Sequence, residues 1–173
     1  MNKSGISSVE VADGVNPNDL LAAPEFKGNY DPHIWFDVDL WSDTVGTVKQ
    51  TLIEMDPENT QQYNKNAEAY LEELSELNEY VQQRANSLPE DKRVLITAHD
   101  AFNYVGRGYG FEVKGLQGIS TESEAGTADV QGLAAIIVER QIPAIFVESS
   151  VHACIMDAVK LAVKSKHCNE GLG

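Results

Sequence analysis

The stretch that decides the fold is "RVLITAHDAFNYVGRGYGFEVKGLQ" (residues 93–117). Its first six residues form a short apolar run that reads as a buried strand. The next twelve read as a short helix that runs out into glycines, and "FEVKGLQ" reads as a second strand. The glycines follow the helix rather than open it, so they mark a helix stop and a turn. The same alternation continues downstream. "TADVQGLAAIIVERQ" reads as a helix with Thr127 in a capping position, "PAIFVES" as a third strand and "ACIMDAVKLAVKSK" as a third helix. Strand–helix repetition of this kind predicts an α/β unit, a parallel sheet flanked by helices. Ligands of such sheets bind beyond the carboxyl ends of the strands. His99 follows the first strand and Glu148 closes the third, so both are expected at one edge.

Upstream lies the longest regular segment, residues 58–88. Tyr63, Ala67, Tyr70, Leu71, Leu74, Leu77, Val81 and Leu88 recur at helical spacing on one broad face, and Pro89 ends the pattern. Roughly 45 Å of helix at 1.5 Å per residue exceeds the width of a small domain. Such a helix either packs along its length, as in a coiled coil, or acts as a rigid rod between two lobes. The new fold unit that starts after it favours the rod. Its acidic run, Glu68, Glu72, Glu73, Glu76 and Glu79, reads as a solvated face. An earlier helix is expected over residues 39–55, with Leu40, Trp41, Val45, Val48 and Leu52 on one side. "DPEN" stops it, with Asp56 placed to cap the next helix and Pro57 in its first turn. "SSVEVADGV" alternates like a short strand. "NPNDLLAAPEFKGNYDPH" is rich in turn residues and reads as loop.

The 173 residues suffice for one domain with a core, or for one domain and part of a second. With 42% apolar and 23% charged residues, the chain reads as soluble and globular. No apolar run reaches the ~18 residues of a membrane span. The opening "MNKSGISSVEV" lacks the apolar centre of a signal segment, which predicts a cytoplasmic or already processed chain. A formal charge of −14, from 13 Lys and Arg against 27 Asp and Glu, argues against nucleic acid as a partner. Cys154 and Cys168 match no zinc motif; a disulfide and two free thiols are equally compatible with their spacing.

Two histidines draw attention. His33 sits in "NYDPHIWFDVDLW" with Asp31 and Asp37 as candidate orienting carboxylates, and His99 sits in "ITAHDAFNY" with Asp100 beside it. A neutral imidazole is a common ligand for zinc and other transition metals, and a neighbouring carboxylate can fix its tautomer. Singly, each would read as a hydrogen-bonded structural residue; together they suggest a metal site. Asp100 could equally cap the helix that follows it. His152 and His167 are expected at the surface. Ser149 and Ser150 lack the glycine-flanked nucleophile elbow, and HExxH, phosphate-loop and GxGxxG patterns are missing, so no enzyme is expected.

The segments "DPHIWFDV", "DPENTQQYNKNAEAYLEEL", "VLITAHDAFNYVGRGYGFEVKGLQGIST" and "AIFVESSV" together resemble the TroA-like metal-binding proteins, over residues 9–151. These are the substrate-binding components of bacterial ABC importers for zinc and manganese. The resemblance implies two α/β lobes joined by one long rigid helix, with the metal in the cleft between them. Residues 1–57 would then be a remnant of the amino-terminal lobe, 58–88 the linker helix and 89–173 a partial carboxy-terminal lobe. His33 matches the family's second metal ligand and His99 its third. Manganese-selective members tend to place glutamate at the His99 position, so histidine there suits zinc.

No histidine precedes His33 to match the family's first ligand, and the segment bearing the fourth, an aspartate, has no counterpart. The resemblance therefore implies a truncated relative with two of four ligands. The expected function is capture of Zn²⁺ or Mn²⁺ as transported ligand and delivery to an ABC permease. The full-length family is periplasmic or extracellular and lipid-anchored, and a signal segment is absent from this chain. Three other roles are compatible with the sequence: a metal-assisted hydrolase built on the same histidines, an adhesin-like surface protein, and a remnant that binds metal weakly or not at all. In the last case, surface exposed by truncation would drive self-association.

Overall fold

The computed structural model describes residues 8–22, 28–117, 125–148 and 153–170. The chain divides into two compact units, Met1–Arg84 and Ala85–Gly173.

The first unit is helical. A 3-10 turn, Val11–Gly14, stands where alternation predicted a strand. It packs on helix α1, Val38–Met55. The approach is close, because a Cβ on Gly14 would lie 2.2 Å from Thr47 Oγ1. With a helix to lean on rather than a neighbouring strand, the segment satisfies its backbone locally: Asp13 and Val15 N–H donate to the Glu10 and Ala12 carbonyls. Asp37 caps α1 by accepting from the Asp39 and Leu40 N–H groups at 3.2 and 3.3 Å. Val38, Leu40, Thr44 and Val45 are its buried residues.

Helix α2, Thr60–Asn86, follows a 3-10 turn at Pro57–Asn59. Asp56 stands at the N-cap of that turn, but its carboxylate caps no backbone group. It accepts instead from Asn59 Nδ2 at 2.7 Å and the Tyr63 hydroxyl at 2.9 Å. These two bonds draw the Asp56 carboxyl below its ordinary range, and the bond to Asp56 pushes the Tyr63 phenol up. The broad apolar face expected on α2 is only partly used. Ala67 and Leu74 are buried, whereas Tyr70, Leu71 and Leu77 are exposed. Polar bonds tie α1 to α2 near that seam: Trp41 Nε1 donates to Tyr70 Oη, and Asn78 Nδ2 donates to Asp39 Oδ1. The acidic run Glu68, Glu72, Glu73, Glu76 and Glu79 is exposed, as its spacing predicts.

The second unit carries the strand–helix–strand module. Strand β1, Val94–His99, pairs in parallel with β2, Glu112–Gln117, from Val94 opposite Glu112 to His99 opposite Gln117. The crossover helix α3, Asn103–Tyr109, ends on Gly110 at φ 73°, a left-handed cap that glycine adopts without penalty. Helices α4, Thr127–Glu139, and α5, Ala153–Glu170, pack together. The core joins β1, β2, α4 and α5 through Ile96, Ala98, Leu116, Leu133, Ile137, Met156 and Val159.

Two expectations need correction here. The cap of α4 is Gly126 rather than Thr127, and the Asp129 carboxylate accepts the Gly126 N–H at 2.8 Å. The capping role passes to the aspartate, which reaches back from the third helical position. The third strand is not regular: among the described residues the sheet has two strands. Residues 143–148 lie beside β1 through one backbone bond, Phe146 N–H to the Ile96 carbonyl at 2.8 Å. The next rung is taken by a side chain, since Glu148 Oε2 accepts the Ala98 N–H at 3.3 Å.

Glu112, at the start of β2, is paired with Arg140 and Lys114. Arg140 first, then Lys114, holds its carboxyl below the ordinary carboxylate range. A depressed folded value means the stabilisation is complete above the unfolded value and is lost as pH falls through the folded one. The pairs are exposed, so about 0.2–1 kcal/mol is at stake. Glu112→Gln is expected to remove that increment at pH 7 and to leave stability near pH 2 unchanged, read by urea unfolding at both pH values.

Candidate functional site

His33 is placed by the turn that begins the amino-terminal helix pair. The Asp31 N–H donates to the Leu21 carbonyl at 2.7 Å, Pro32 restricts the backbone between them, and His33 opens a 3-10 turn at Ile34–Phe36. This geometry folds the Asp31 carboxylate back over the histidine. Its Oδ1 accepts the His33 backbone N–H at 3.0 Å and sits 2.6 Å from ring Nδ1. Both residues are buried, Asp31 at 1% exposure and His33 at 8%. With the Nδ1 proton donated to Asp31, the ring's lone pair is on Nε2. Trp35 stands edge-on to the imidazole, with centroids 5.3 Å apart and planes at 71°. Asp37, the other candidate orienting carboxylate, is committed to the cap of α1.

His99 is placed by the sheet. It is the last residue of β1, and its carbonyl accepts from Ala101 N–H at 3.0 Å and Thr97 Oγ1 at 2.8 Å. β2 comes close here because Gly115 has no side chain: a Cβ there would lie 2.6 Å from Asp100 N and 2.7 Å from its Cα. The carboxylate at the ring is Glu148, from the extended segment beside β1, rather than the neighbouring Asp100. Glu148 Oε1 lies 2.9 Å from His99 Nδ1, an ion-pair approach with angles outside those of a hydrogen bond. Both side chains are largely buried, at 13% and 17% exposure. Glu148 and His99 thus meet at the carboxyl end of β1, the edge where ligands of parallel sheets bind.

The two histidines share one local feature: Nδ1 faces a carboxylate, hydrogen-bonded at His33 and in a close ion-pair approach at His99. Within either unit, no three His, Cys, Asp or Glu side chains among the described residues are arranged to hold a metal ion. Ser149, Ser150 and His152, and the side chains of Cys154, His167 and Cys168, lie outside the described residues. Sequence reading placed Glu148 at the correct edge but gave it no partner. The signal was its position at the end of an extended run, one strand over from His99.

Comparison with known proteins gives a consistent result. The family described as ZnuA, zinc-uptake complex component A, periplasmic, matches residues 1–170. The chain is 46% identical over 158 residues to the zinc-binding protein TroA of Treponema pallidum (strain Nichols), covering 91% of this chain and 51% of that protein. It is 43% identical over 159 residues to the manganese-binding lipoprotein MntA of Bacillus subtilis (strain 168), covering 92% and 52%. Among solved structures, the periplasmic zinc-binding protein TroA from Treponema pallidum superposes with a TM-score of 0.90 at 44% identity, over 95% of this chain and 59% of that one. The chain spans about half the length of the curated relatives it matches.

Proposed function

Because the chain belongs to the ZnuA family of metal-uptake proteins, we propose that it serves as, or within, the extracytoplasmic binding component of an ABC importer. It captures a divalent transition metal and passes it to a permease. His33 and His99 are the ligands it contributes. Residues 1–57 belong to the amino-terminal lobe of such a protein, 58–88 to its linker helix and 89–173 to its carboxy-terminal lobe. The observation that carries this reading is the matched pair of carboxylate contacts, Asp31 at 2.6 Å and Glu148 at 2.9 Å from the respective Nδ1 atoms. Ligating histidines are oriented in this way almost wherever they occur.

Two imidazole donors favour zinc over manganese, which prefers oxygen. The 46% identical relative is named for zinc and the 43% identical one for manganese, and the imidazole donors support the zinc reading. Zinc normally takes four ligands, and these two supply half.

The test is a zinc titration in competition with a chromophoric chelator, for the chain and for His33→Ala and His99→Ala. Loss of a ligand should weaken binding by more than the roughly 10–100-fold seen when an outer partner is removed. Affinity unchanged in both variants would refute the assignment.

A further inference from the structure

The geometry points to Glu148 as the positioning residue of His99, fixing its tautomer through a carboxylate that an amide cannot replace. The inference rests on the metal-binding reading above and adds a residue to it.

Glu148 brings its two oxygens to one backbone donor and one ring nitrogen. Oε2 accepts the Ala98 backbone N–H at 3.3 Å, and Oε1 lies 2.9 Å from His99 Nδ1. The backbone N–H is a donor under all conditions, because it has no other protonation state to adopt. The imidazole has a choice: a neutral ring carries its proton on Nδ1 or on Nε2. Both carboxylate oxygens carry lone pairs only, so with one oxygen on Ala98 N–H the other, 2.9 Å from Nδ1 though outside hydrogen-bond angles, electrostatically favours a proton rather than a second lone pair on that nitrogen. That leaves the lone pair on Nε2, where a metal ion can take it.

The position of the carboxylate is itself fixed by the fold. The segment that carries it is held to β1 by the Phe146 N–H bond to the Ile96 carbonyl, two residues before the Ala98 rung. Glu148 therefore continues the pairing of the segment with β1, using its side chain where a regular strand would use a backbone carbonyl. The departure from a regular third strand and the orientation of the histidine have the same cause.

The arrangement makes an isosteric substitution informative. In Glu148→Gln the side chain keeps its shape but has one acceptor and one donor group. The amide oxygen goes to the obligate donor, Ala98 N–H, so the amide NH₂ faces Nδ1. His99 then has to accept there, and its proton moves to Nε2, the nitrogen required for the metal. Glu148→Ala removes the carboxylate that makes the selection.

Long-range ¹H–¹⁵N correlation spectra of the metal-free protein at about pH 8.5, well above the ordinary imidazole value of about 6.5, distinguish the two tautomers. The Nδ1–H form of His99 is expected in the unmodified chain and the Nε2–H form in Glu148→Gln, with His33 unchanged in both. Zinc affinity should fall roughly 10–100-fold in Glu148→Gln and in Glu148→Ala, with the circular dichroism of the folded chain retained. A Glu148→Gln protein that keeps the Nδ1–H tautomer would overturn the inference. Zinc affinity indifferent to His99→Ala would instead refute the metal reading, and would leave the tautomer result standing.

Discussion

Asp31→Ala is expected to destabilise the protein by about 2–6 kcal/mol and to weaken zinc binding at the same time. Asp31 is 1% exposed, and a single oxygen, Oδ1, accepts both the backbone N–H and the ring Nδ1 of His33. Alanine takes the acceptor away from two donors that the fold has already removed from water, at about 1–3 kcal/mol each. It also releases the ring from the hydrogen bond that holds its Nδ1 to the carboxylate. Asp31→Asn keeps one carboxamide oxygen in place of Oδ1, so it should lose far less of both. This contrasts with Glu148, whose two oxygens meet two separate groups, the Ala98 N–H and His99 Nδ1, so that the amide is expected to fail. Urea unfolding and a zinc titration of the two variants read both effects. Equal losses for alanine and asparagine would show that the charge, rather than the acceptor geometry, is what His33 needs.

Gly115→Ala carries the second large effect. The added Cβ would meet Asp100 N at 2.6 Å, its Cα at 2.7 Å and its Cβ at 2.8 Å. The first two are backbone atoms at the end of β1, so rotating a side chain relieves nothing. Overpacking of a tight contact costs about 1–3 kcal/mol, and a clash with backbone belongs at the upper end. The strain falls on the residue next to His99, so the displacement should reach the imidazole. Lower stability in urea is expected together with a changed His99 ring resonance. A Gly115→Ala protein as stable as the original would contradict the close approach of β2 to the strand end.

The parts of this molecule that were legible in its sequence share a physical basis. Residues 93–117 announce strand, helix and strand because apolar runs of strand length are separated by glycines, and Gly110 occupies the left-handed position that its place in the pattern suggests. The family resemblance, carried by residue type and context around His33 and His99, agrees with the ZnuA match over residues 1–170.

What could not be read was which carboxylate meets which histidine. Nearness in sequence offers Asp31 and Asp37 to His33, and Asp100 to His99. The structure decides by backbone conformation: the turn at Pro32 folds Asp31 back, α1 claims Asp37, and a segment some fifty residues downstream delivers Glu148. The strand expected at the amino end and the Thr127 cap failed for a related reason. Alternation at "SSVEVADGV" is a local pattern with a helix rather than a strand as its neighbour, and Asp129 outcompetes Thr127 by reaching back to Gly126. The broad face expected on α2 narrows to Ala67 and Leu74 because periodicity shows which residues share a side, and only packing shows which are covered.

The central claim is that His33 and His99 each bind the captured ion through an imidazole nitrogen. Zinc K-edge X-ray absorption of the zinc-loaded protein tests it most directly, because imidazole ligands at about 2.0–2.1 Å give a recognisable multiple-scattering pattern whose amplitude counts them. The account predicts two imidazoles from this chain, and one fewer in each of His33→Ala and His99→Ala. An imidazole count that neither substitution lowers would contradict it.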